Sequence, residues 1–372
     1  MTNLDTLRAD YPDLFVLCPE DPKGLEEYLR SIGVIEANEA IRSATKAGEG
    51  NMNCTLRVAL PERSLIVKQS RPWVERYPQI EAPWDRILSE ARFYLLTSPH
   101  EGVSRRMPRQ IMLDPDNRVL VLEDLGESSD YTSLYGGSEN TLSHEDAKAL
   151  VDWLSALHAI DFATKSQTGL TNLAMRALNH EHLFRFPLVA GNGLDLDAIT
   201  PGLAHEAAKL ITSEDYVVRV ASLGADYLES GGVLLHGDFF PGSWLRTSDG
   251  PAVIDPEFAF FGPAEFDVGV LLAHLHLASQ PEEVYETVIG AYEPPAGFDW
   301  PLALEFCAVE IMRRLIGVAQ LPLTIGIESK RDLLEVSYKL ILSEGSELPT
   351  GLSGANHLAE KIAADQSDAK RA

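Results

Sequence analysis

The stretch of sequence that decides the fold is Leu234-Leu-His-Gly-Asp-Phe-Phe-Pro-Gly-Ser-Trp244, followed closely by Ala252-Val-Ile-Asp-Pro-Glu257. Two apolar residues lead into His236-Gly-Asp238, a pattern that predicts a buried strand delivering an acid to a loop. Two further strand-like runs, 243–246 and 252–254, flank Asp249-Gly250, and this dipeptide is a strong signal for a β-hairpin. The chain is therefore expected to leave Asp238, turn through a hairpin and return beside its starting point.

The predicted hairpin should place Asp255 and Glu257 next to Asp238 and Ser243. Pro256 is expected to push Asp255 into an extended conformation, in which Asp255 and Glu257 point to one side. Three converging carboxylates repel one another unless a cation lies among them, and Mg²⁺ binds one or two carboxylates together with substrate phosphates. An acid on a loop with two acids behind a hairpin is also the arrangement of kinase-type phosphoryl transfer. The alternative is an incidental acidic loop in a very acidic protein.

Length and composition indicate an ordinary soluble protein. The chain has 372 residues, enough for two lobes, with 45% hydrophobic and 23% charged residues. Its net charge of −25 disfavours nucleic acid and anionic membranes as partners. No apolar run is long enough to span a membrane, and the N-terminus does not resemble a signal peptide. The three cysteines are far apart and suggest neither disulfides nor zinc. We therefore expect a cytoplasmic protein.

Upstream, a loop containing Gly48 and Gly50 precedes two predicted strands, 54–60 and 64–69. Glycines allow backbone N–H groups to approach phosphates closely, although many ordinary hairpins also carry two glycines. Lys68 lies in the second strand, which otherwise reads as buried. A lysine in a strand is usually a solvated edge residue, but a kinase-type lobe has its phosphate-binding lysine at this place.

The acidic partner of that lysine is expected on the next predicted helix, 84–98. Glu90 is our choice, with Glu81 and Asp85 as the alternatives. The strand at 118–126 ends at two acids and a glycine. It is interpreted either as an interlobe hinge that meets an adenine ring or simply as a strand end with turn residues.

Several residues of the C-terminal half have both a structural and a functional interpretation. His158 lies on an apolar helix face and is expected to be a hydrogen-bonded core histidine. Asp267 could cap the following helix or brace the loop of Asp238, and we favour a structural role. Arg313 and Arg314 could form a salt-bridged surface patch, or could steady a phosphate or a sugar hydroxyl near an anionic site.

Several groups of residues, in order from about residue 44 to 320, carry a family resemblance: Gly48-Glu-Gly-Asn-Met-Asn53, Ile66-Val-Lys-Gln69, Asp85-Arg86 with Glu90, His236-Gly-Asp238 with Gly242-Ser243, Asp255-Pro-Glu-Phe-Ala-Phe-Phe-Gly-Pro263 with Phe266-Asp267, and Arg313-Arg314 with Gly317. They resemble the S-methyl-5-thioribose kinase family, within the aminoglycoside phosphotransferase and choline kinase group. Most members of that wider group have Asn in place of Ser243 and Asp-x-Asp in place of Asp255-Pro-Glu257. The segment between Asp267 and Arg313 is shorter than is typical of the family.

The resemblance implies an α+β, protein-kinase-like bilobal fold. A small β-rich N-terminal lobe, 1–122, would bind the nucleotide, and a larger, mainly helical lobe, 123–372, would carry out catalysis and bind substrate. The implied reaction is ATP- and Mg²⁺-dependent phosphorylation of the 1-hydroxyl of S-methyl-5-thioribose, a small-molecule sugar, in methionine salvage. The products would be S-methyl-5-thioribose 1-phosphate and ADP. The family's usual homodimer is implied as well.

The same resemblance implies roles for individual positions. ATP binding is assigned to Gly48, Gly50, Asn51, Lys68 and Glu90, with Asn51 and Lys68 on the phosphates, and to Leu122, Glu123 and Asp124 at the adenine. Mg²⁺ is assigned to Asp255, Glu257 and Ser243, the proton of the acceptor hydroxyl to Asp238, and substrate contact to Asp238 and to Arg313 or Arg314. Two alternatives stay open. The acceptor could instead be an amino alcohol, a homoserine-like compound or an aminoglycoside, although a cationic acceptor would need acids in its pocket. The chain could also be a non-catalytic nucleotide-binding protein of the same fold.

Overall fold

The chain begins with two helices and then builds a β-rich N-terminal part. The computed structural model describes residues 2–48, 52–126, 128–137, 140–162, 168–229, 231–343 and 352–369. The elements of the N-terminal part are α1 (Asn3–Asp10), α2 (Pro22–Ser31), β1 (Ser43–Lys46), β2 (Cys54–Ala59), β3 (Ser64–Gln69), β4 (Trp73–Val74), β5 (Tyr77–Glu81), α3 (Arg86–Thr97), α4 (Glu101–Ser104), β6 (Gln110–Asp114) and β7 (Val119–Glu123). Five of these strands form one antiparallel sheet in the order β1-β2-β3-β7-β6.

Strand β7 explains why the sheet is covered on both faces. Its four apolar residues are all buried, and alternate side chains point to opposite faces of a strand. Val119 and Val121 pack in a small apolar core with β2 and α2, whereas Leu120 and Leu122 join a larger core that includes α3. The continuous apolar run therefore reflects a strand buried between two layers.

The same alternation decides where Lys68 points. In β3, Leu65 and Val67 belong to the small core, whereas Ile66 packs against the large one. Lys68 shares the face of Ile66, because residues two apart in a strand lie on one side. This face is the one covered by α3, so the lysine and Glu90, the one acid of that helix, meet within the protein.

The remainder of the chain is mainly helical. Its elements are α5 (His144–His158), α6 (Leu173–His180), α7 (Leu196–Ile199), α8 (Leu203–Ile211), α9 (Glu214–Leu228), β8 (Val233–Leu235), β9 (Trp244–Thr247), β10 (Gly250–Val253), β11 (Phe260–Gly262), α10 (Ala264–Leu277), α11 (Glu282–Ala291), α12 (Trp300–Ile316), α13 (Ile327–Leu342) and α14 (Ala355–Ala369). Helix α10 is apolar on nearly all sides and lies buried in the large core against α12. Within the described ranges, no helix is long and apolar enough to cross a membrane.

Two short strand pairs in this helical part hold the stretch that opened the sequence analysis. β8 pairs antiparallel with β11, and β9 pairs antiparallel with β10. The hairpin predicted at Asp249-Gly250 is confirmed, with Gly250 at a φ of 93°. Because Val253 pairs with Trp244 and the Ile254 N–H donates to the Ser243 carbonyl at 2.9 Å, the chain does return beside its starting point.

Gly237 is required in the loop between β8 and Asp238. Its φ is 83°, and a Cβ built there would lie 2.3 Å from the carbonyl oxygen of Phe258. Gly33 has a similar φ of 73°, but its Cβ would meet nothing within 4 Å. Substituting alanine at both glycines therefore separates the destabilisation due to backbone conformation from that due to close contact.

We predict that Gly237→Ala lowers the free energy of unfolding by more than Gly33→Ala does. The left-handed conformation alone costs about 1–2 kcal/mol, and forcing a methyl group against a fixed backbone should add ~1–3 kcal/mol. Urea unfolding followed by circular dichroism measures both variants. Equal losses would mean that the contact with Phe258 does not constrain the loop.

Candidate functional site

The loop that carries Asp238 is braced from below by Asp267. This fully buried carboxylate, on α10, accepts the backbone N–H groups of His236 at 2.7 Å and Gly237 at 2.9 Å. His236 makes two further contacts: its Nε2–H donates to the Ile254 carbonyl at 2.9 Å, and its Nδ1 accepts the Asp238 N–H at 3.3 Å. Burial lowers the pKa of His236, which favours the neutral ring that these contacts require. Of the two roles considered for Asp267, bracing the loop is the one observed. The favoured role as a cap of α10 is wrong, because Asp267 lies inside that helix and its carboxylate binds the loop.

Asp238 itself is held by the arginine pair of α12. Its Oδ1 accepts from Arg313 Nη2 at 3.3 Å and from Arg314 Nη2 at 3.2 Å, and its side chain remains 22% exposed. Ser243 donates its hydroxyl to the Asp238 carbonyl at 3.0 Å. Both arginines are buried, so they are not the exposed surface patch considered from the sequence. They lie directly at the proposed catalytic acid.

Lys68 links the sheet to the turn that follows the hairpin. Its Nζ donates to Glu90 Oε1 at 2.7 Å and forms a second ion pair with Asp255 Oδ1. Burial alone would lower the pKa of Lys68, but the charges of Asp255 and Glu90 outweigh it and raise that pKa well above its ordinary value. The predicted partner Glu90 is confirmed, whereas Asp85 pairs with Arg118 at 3.0 Å.

The predicted conformation of Asp255 is wrong. Its φ of 61° and ψ of 48° are left-handed, and it heads a short helical turn, Pro256–Phe258. Aspartate tolerates this region better than most residues, and proline suits the first position of a helical turn. The ion pair with Lys68 stabilises this arrangement. As a result, Asp255 and Glu257 are not arranged as they would be in an extended strand.

Glu257 has partners of its own in the N-terminal part. Its Oε2 accepts from Asn53 Nδ2 at 2.9 Å and lies 3.5 Å from Arg86 Nε. Burial, reinforced by the charges of Glu90 and Asp255, raises the pKa of Glu257 to about 8. The predicted convergence of three carboxylates is therefore wrong, because each acid is drawn to a different cation. Among the described residues, no three His, Cys, Asp or Glu side chains form a group that could hold a metal ion.

The glycine loop and the proposed hinge are described in part. Gly48 is exposed with a φ of 67°, whereas Gly50 and Asn51 lie outside the described residues. In the hinge, Leu122 is buried, Glu123 accepts the Arg109 N–H, and Asp124 pairs with Arg57. The side chain of Asp124 is thus committed to β2, which leaves backbone groups as the natural contacts for a ligand at this segment.

Sequence reasoning missed the roles of Asn53, Arg86 and Glu310. Arg86 is fully buried, and its guanidinium donates to the carbonyl groups of Met52, Arg71, Pro83 and Trp73. Except for Pro83, these partners lie 13 to 34 residues away in sequence, so no local pattern indicates them. Glu310 could have been found, because it precedes Arg313 and Arg314 by three and four residues on a helix, the spacing at which side chains meet.

Comparison with known proteins agrees with this architecture. Residues 43–306 match the phosphotransferase enzyme family. Methylthioribose kinases of Exiguobacterium sibiricum and Yersinia enterocolitica are each 28% identical to the chain, over 273 and 264 residues. These alignments cover 69% and 68% of this chain, but 66% and 64% of the relatives, so the chain spans slightly less than two thirds of their length.

A solved structure confirms the expected fold class. The microcompartment-associated aminopropanol kinase aligns with a TM-score of 0.50 and 18% identity, covering 87% of this chain and 99% of that one. The likeness concerns the fold alone. With the family match, it establishes an α+β architecture with a β-rich N-terminal lobe and a mainly helical C-terminal lobe.

The buried Glu257 predicts a pH effect on the ligand-free protein. Its pKa is raised from 4.5 to about 8 on folding, so the folded state binds this proton more tightly than the unfolded state. The contribution of this proton to the free energy of unfolding is fully present below pH 4.5 and is lost as the pH rises from 4.5 to about 8. Glu257→Gln stays neutral and keeps the hydrogen-bond acceptor, so it should gain stability relative to wild type over this window, by at most about 1.4 kcal/mol per pH unit.

Urea unfolding at pH 5, 6, 7 and 8 without Mg²⁺ or nucleotide measures this difference. Glu62→Gln, the same change on an exposed turn, is the control and should follow the wild type. If Glu257→Gln also follows the wild type, Glu257 is ionised throughout and the predicted effect is wrong.

Proposed function

Since this chain belongs to the phosphotransferase enzyme family, we propose that it transfers the γ-phosphoryl group of ATP to the 1-hydroxyl of S-methyl-5-thioribose, in methionine salvage. The products are S-methyl-5-thioribose 1-phosphate and ADP. The observation that carries the proposal is the placement of Asp238 on a braced loop, while the same hairpin returns Asp255 to the Lys68–Glu90 pair. The names of the curated relatives support this choice of acceptor.

Asp238 accepts or orients the proton of the acceptor hydroxyl. Its Oδ1 is held by two guanidinium groups, and it need not act as a strong base. Phosphoryl transfer does not require one, because positioning and charge neutralisation supply most of the rate enhancement. The fixed orientation of Asp238 is its main contribution, and Arg313 and Arg314 also touch the acceptor.

The nucleotide binds on the side of the sheet. Lys68 has three N–H donors, of which Glu90 and Asp255 take two, so one is left for a phosphate oxygen. Backbone N–H groups around Gly48, Gly50 and Asn51 cover the phosphates, and backbone groups of 122–124 meet the adenine.

The residues that would hold Mg²⁺ are Ser243, Asp255 and Glu257, although in the ligand-free protein Asp255 pairs with Lys68 and Glu257 with Arg86. Asp255 precedes the short turn and Glu257 lies within it, so both would supply carboxylate oxygens, and Ser243 would add a hydroxyl oxygen. The raised pKa of Glu257 reflects a buried carboxyl whose negative charge is under-compensated, an environment that favours a cation. When bound there, Mg²⁺ would neutralise charge on the transferred phosphoryl group.

The wild type is expected to form ADP from Mg-ATP with S-methyl-5-thioribose, and not with ribose, choline or an aminoglycoside. Asp238 and Glu310 are both paired with arginines and so do not offer a free negative charge to a cationic acceptor, which sets this expectation apart from that for an amino-alcohol kinase. Turnover with another acceptor alone would replace the proposed substrate. ATP binding without turnover on any acceptor would support the non-catalytic interpretation.

In the same assay, Asp238→Asn should lower kcat by roughly two orders of magnitude or more, the scale of general-base catalysis, and leave ATP binding nearly unchanged. Asp249→Asn, an exposed change in the neighbouring hairpin turn, is the matched control and should retain wild-type kcat. Unchanged turnover of Asp238→Asn would remove Asp238 from the mechanism.

Lys68→Ala should raise the KM for ATP by roughly 10- to 100-fold, the loss of one hydrogen bond to a charged group, with a smaller effect on the KM for sugar. Because Glu90 would be left buried without its cation, the change is made in a Glu90→Gln background, with Glu90→Gln alone as reference. Lys339→Ala, an exposed lysine on α13, controls for loss of charge. Equal effects on both KM values would argue against Lys68 as a phosphate ligand.

A further inference from the structure

Beneath the arginine pair lies a carboxylate that the proposed mechanism does not use. Glu310 is fully buried on α12. Its Oε1 accepts from Arg314 Nε at 2.7 Å, from Arg313 Nη2 at 2.9 Å and from His274 Nε2 at 2.9 Å, and its Oε2 accepts from Arg313 Nε at 2.5 Å. One side chain thus fixes both guanidinium groups that hold Asp238.

The helix itself brings these groups together. Arg313 and Arg314 follow Glu310 by three and four residues, so all three lie on one face. Helical side chains also lean towards the N-terminus, which directs both arginines back over the carboxylate. Arg314 binds Glu310 through Nε and Asp238 through Nη2. Arg313 binds Glu310 through both Nε and Nη2, and the same Nη2 also donates to Asp238.

The orientation of Glu310 is fixed from its other side. Burial lowers the pKa of His274 to about 4, so the ring is neutral at physiological pH. Its Nε2–H therefore donates to Glu310, and its Nδ1 accepts from the hydroxyl of Tyr135 at 2.6 Å. Arg314 in turn lies over the ring of Phe240, 4.7 Å from its centroid. Neither the carboxylate nor the guanidinium can rotate without breaking buried contacts.

The charges in this cluster are balanced. Two guanidinium groups face two carboxylates, Glu310 and Asp238, at hydrogen-bonding distance. Burial works against the ionised form of Glu310, but Arg313, Arg314 and the hydrogen bond from His274 outweigh it and hold its pKa well below the ordinary range. Without Glu310, the pair would carry one uncompensated positive charge beside the acceptor.

We propose that Glu310 is a positioning and specificity-determining residue: it fixes both arginines on Asp238 and cancels one of their charges, so that the acceptor side suits an uncharged hydroxyl compound rather than an anionic one. The inference rests on the proposed function, because it assumes that the acceptor meets Asp238. Arg313 and Arg314 then act as directed N–H donors and not as an anion-binding site.

The test compares an uncharged and an anionic ligand of similar shape, ribose and ribose 5-phosphate. Calorimetry in the presence of Mg-ADP measures the dissociation constant of each. Glu310→Gln should strengthen ribose 5-phosphate binding relative to ribose by about tenfold or more, the effect expected of one uncompensated charge nearby. Glu305→Gln is the control: it makes the same change on the same helix, where Glu305 pairs with the partly exposed Arg219. It should leave this ratio unchanged.

Two further variants separate charge from geometry. Glu310→Asp keeps the charge but shortens the side chain, so kcat should fall while the ligand ratio stays at the wild-type value. The double variant Glu310→Gln/Arg314→Gln restores charge balance, which protects the fold if the single variant does not fold. It should lose kcat without gaining affinity for ribose 5-phosphate.

An unchanged ligand ratio in Glu310→Gln would overturn the inference, as would a raised affinity for ribose 5-phosphate in the charge-balanced double variant. The measurement of binding stands apart from turnover. If the wild type phosphorylates none of the acceptors, the proposed function fails, whereas the ligand ratios still decide whether Glu310 sets the charge selectivity beside Asp238.

Discussion

The site depends on the pairing of charges that are buried from water. Removing an ion from water costs several kcal/mol, and only close, well-oriented partners offset that cost. Lys68 satisfies this requirement with Glu90 on α3 and with Asp255 behind the hairpin, so one ammonium group fixes three separate parts of the chain. The positions of the sheet, the first long helix and the acidic turn are therefore not independent. Glu310 has the same effect on the arginine pair of α12.

Backbone groups impose a second constraint that works with the first. A tight loop leaves N–H groups without strand or helix partners, and Asp267 accepts two of them in succession. The left-handed conformation of Asp255 costs ~1–3 kcal/mol, yet it directs the carboxylate to Lys68. The strained backbone of Asp255 and the hydrogen bonds from the loop N–H groups to Asp267 together set the geometry beside Asp238.

Local patterns made much of the fold predictable. β3 and the hairpin at Asp249-Gly250 follow from alternation and turn chemistry, which act over a few residues. The partnership of Lys68 with Glu90 is predicted instead from the arrangement of kinase-type lobes. The partners of Glu257 could not be predicted in this way. Its hydrogen bond to Asn53 joins residues 204 positions apart, so its geometry exists only after the two lobes have packed. The expected three-carboxylate cluster failed because sequence spacing does not reveal which cation each acid will meet.

The two sides of the site differ in charge, and the difference agrees with the reaction proposed. On the acceptor side, two arginines balance two carboxylates. On the nucleotide side, the cations Lys68 and Arg86 face three acids, Glu90, Asp255 and Glu257, within a protein whose net charge is −25. Such a surface does not attract a bare polyanion. In the proposed reaction, a nucleotide would arrive with a divalent cation, which Asp255 and Glu257 would hold, and the remaining N–H donor of Lys68 would bind a phosphate oxygen.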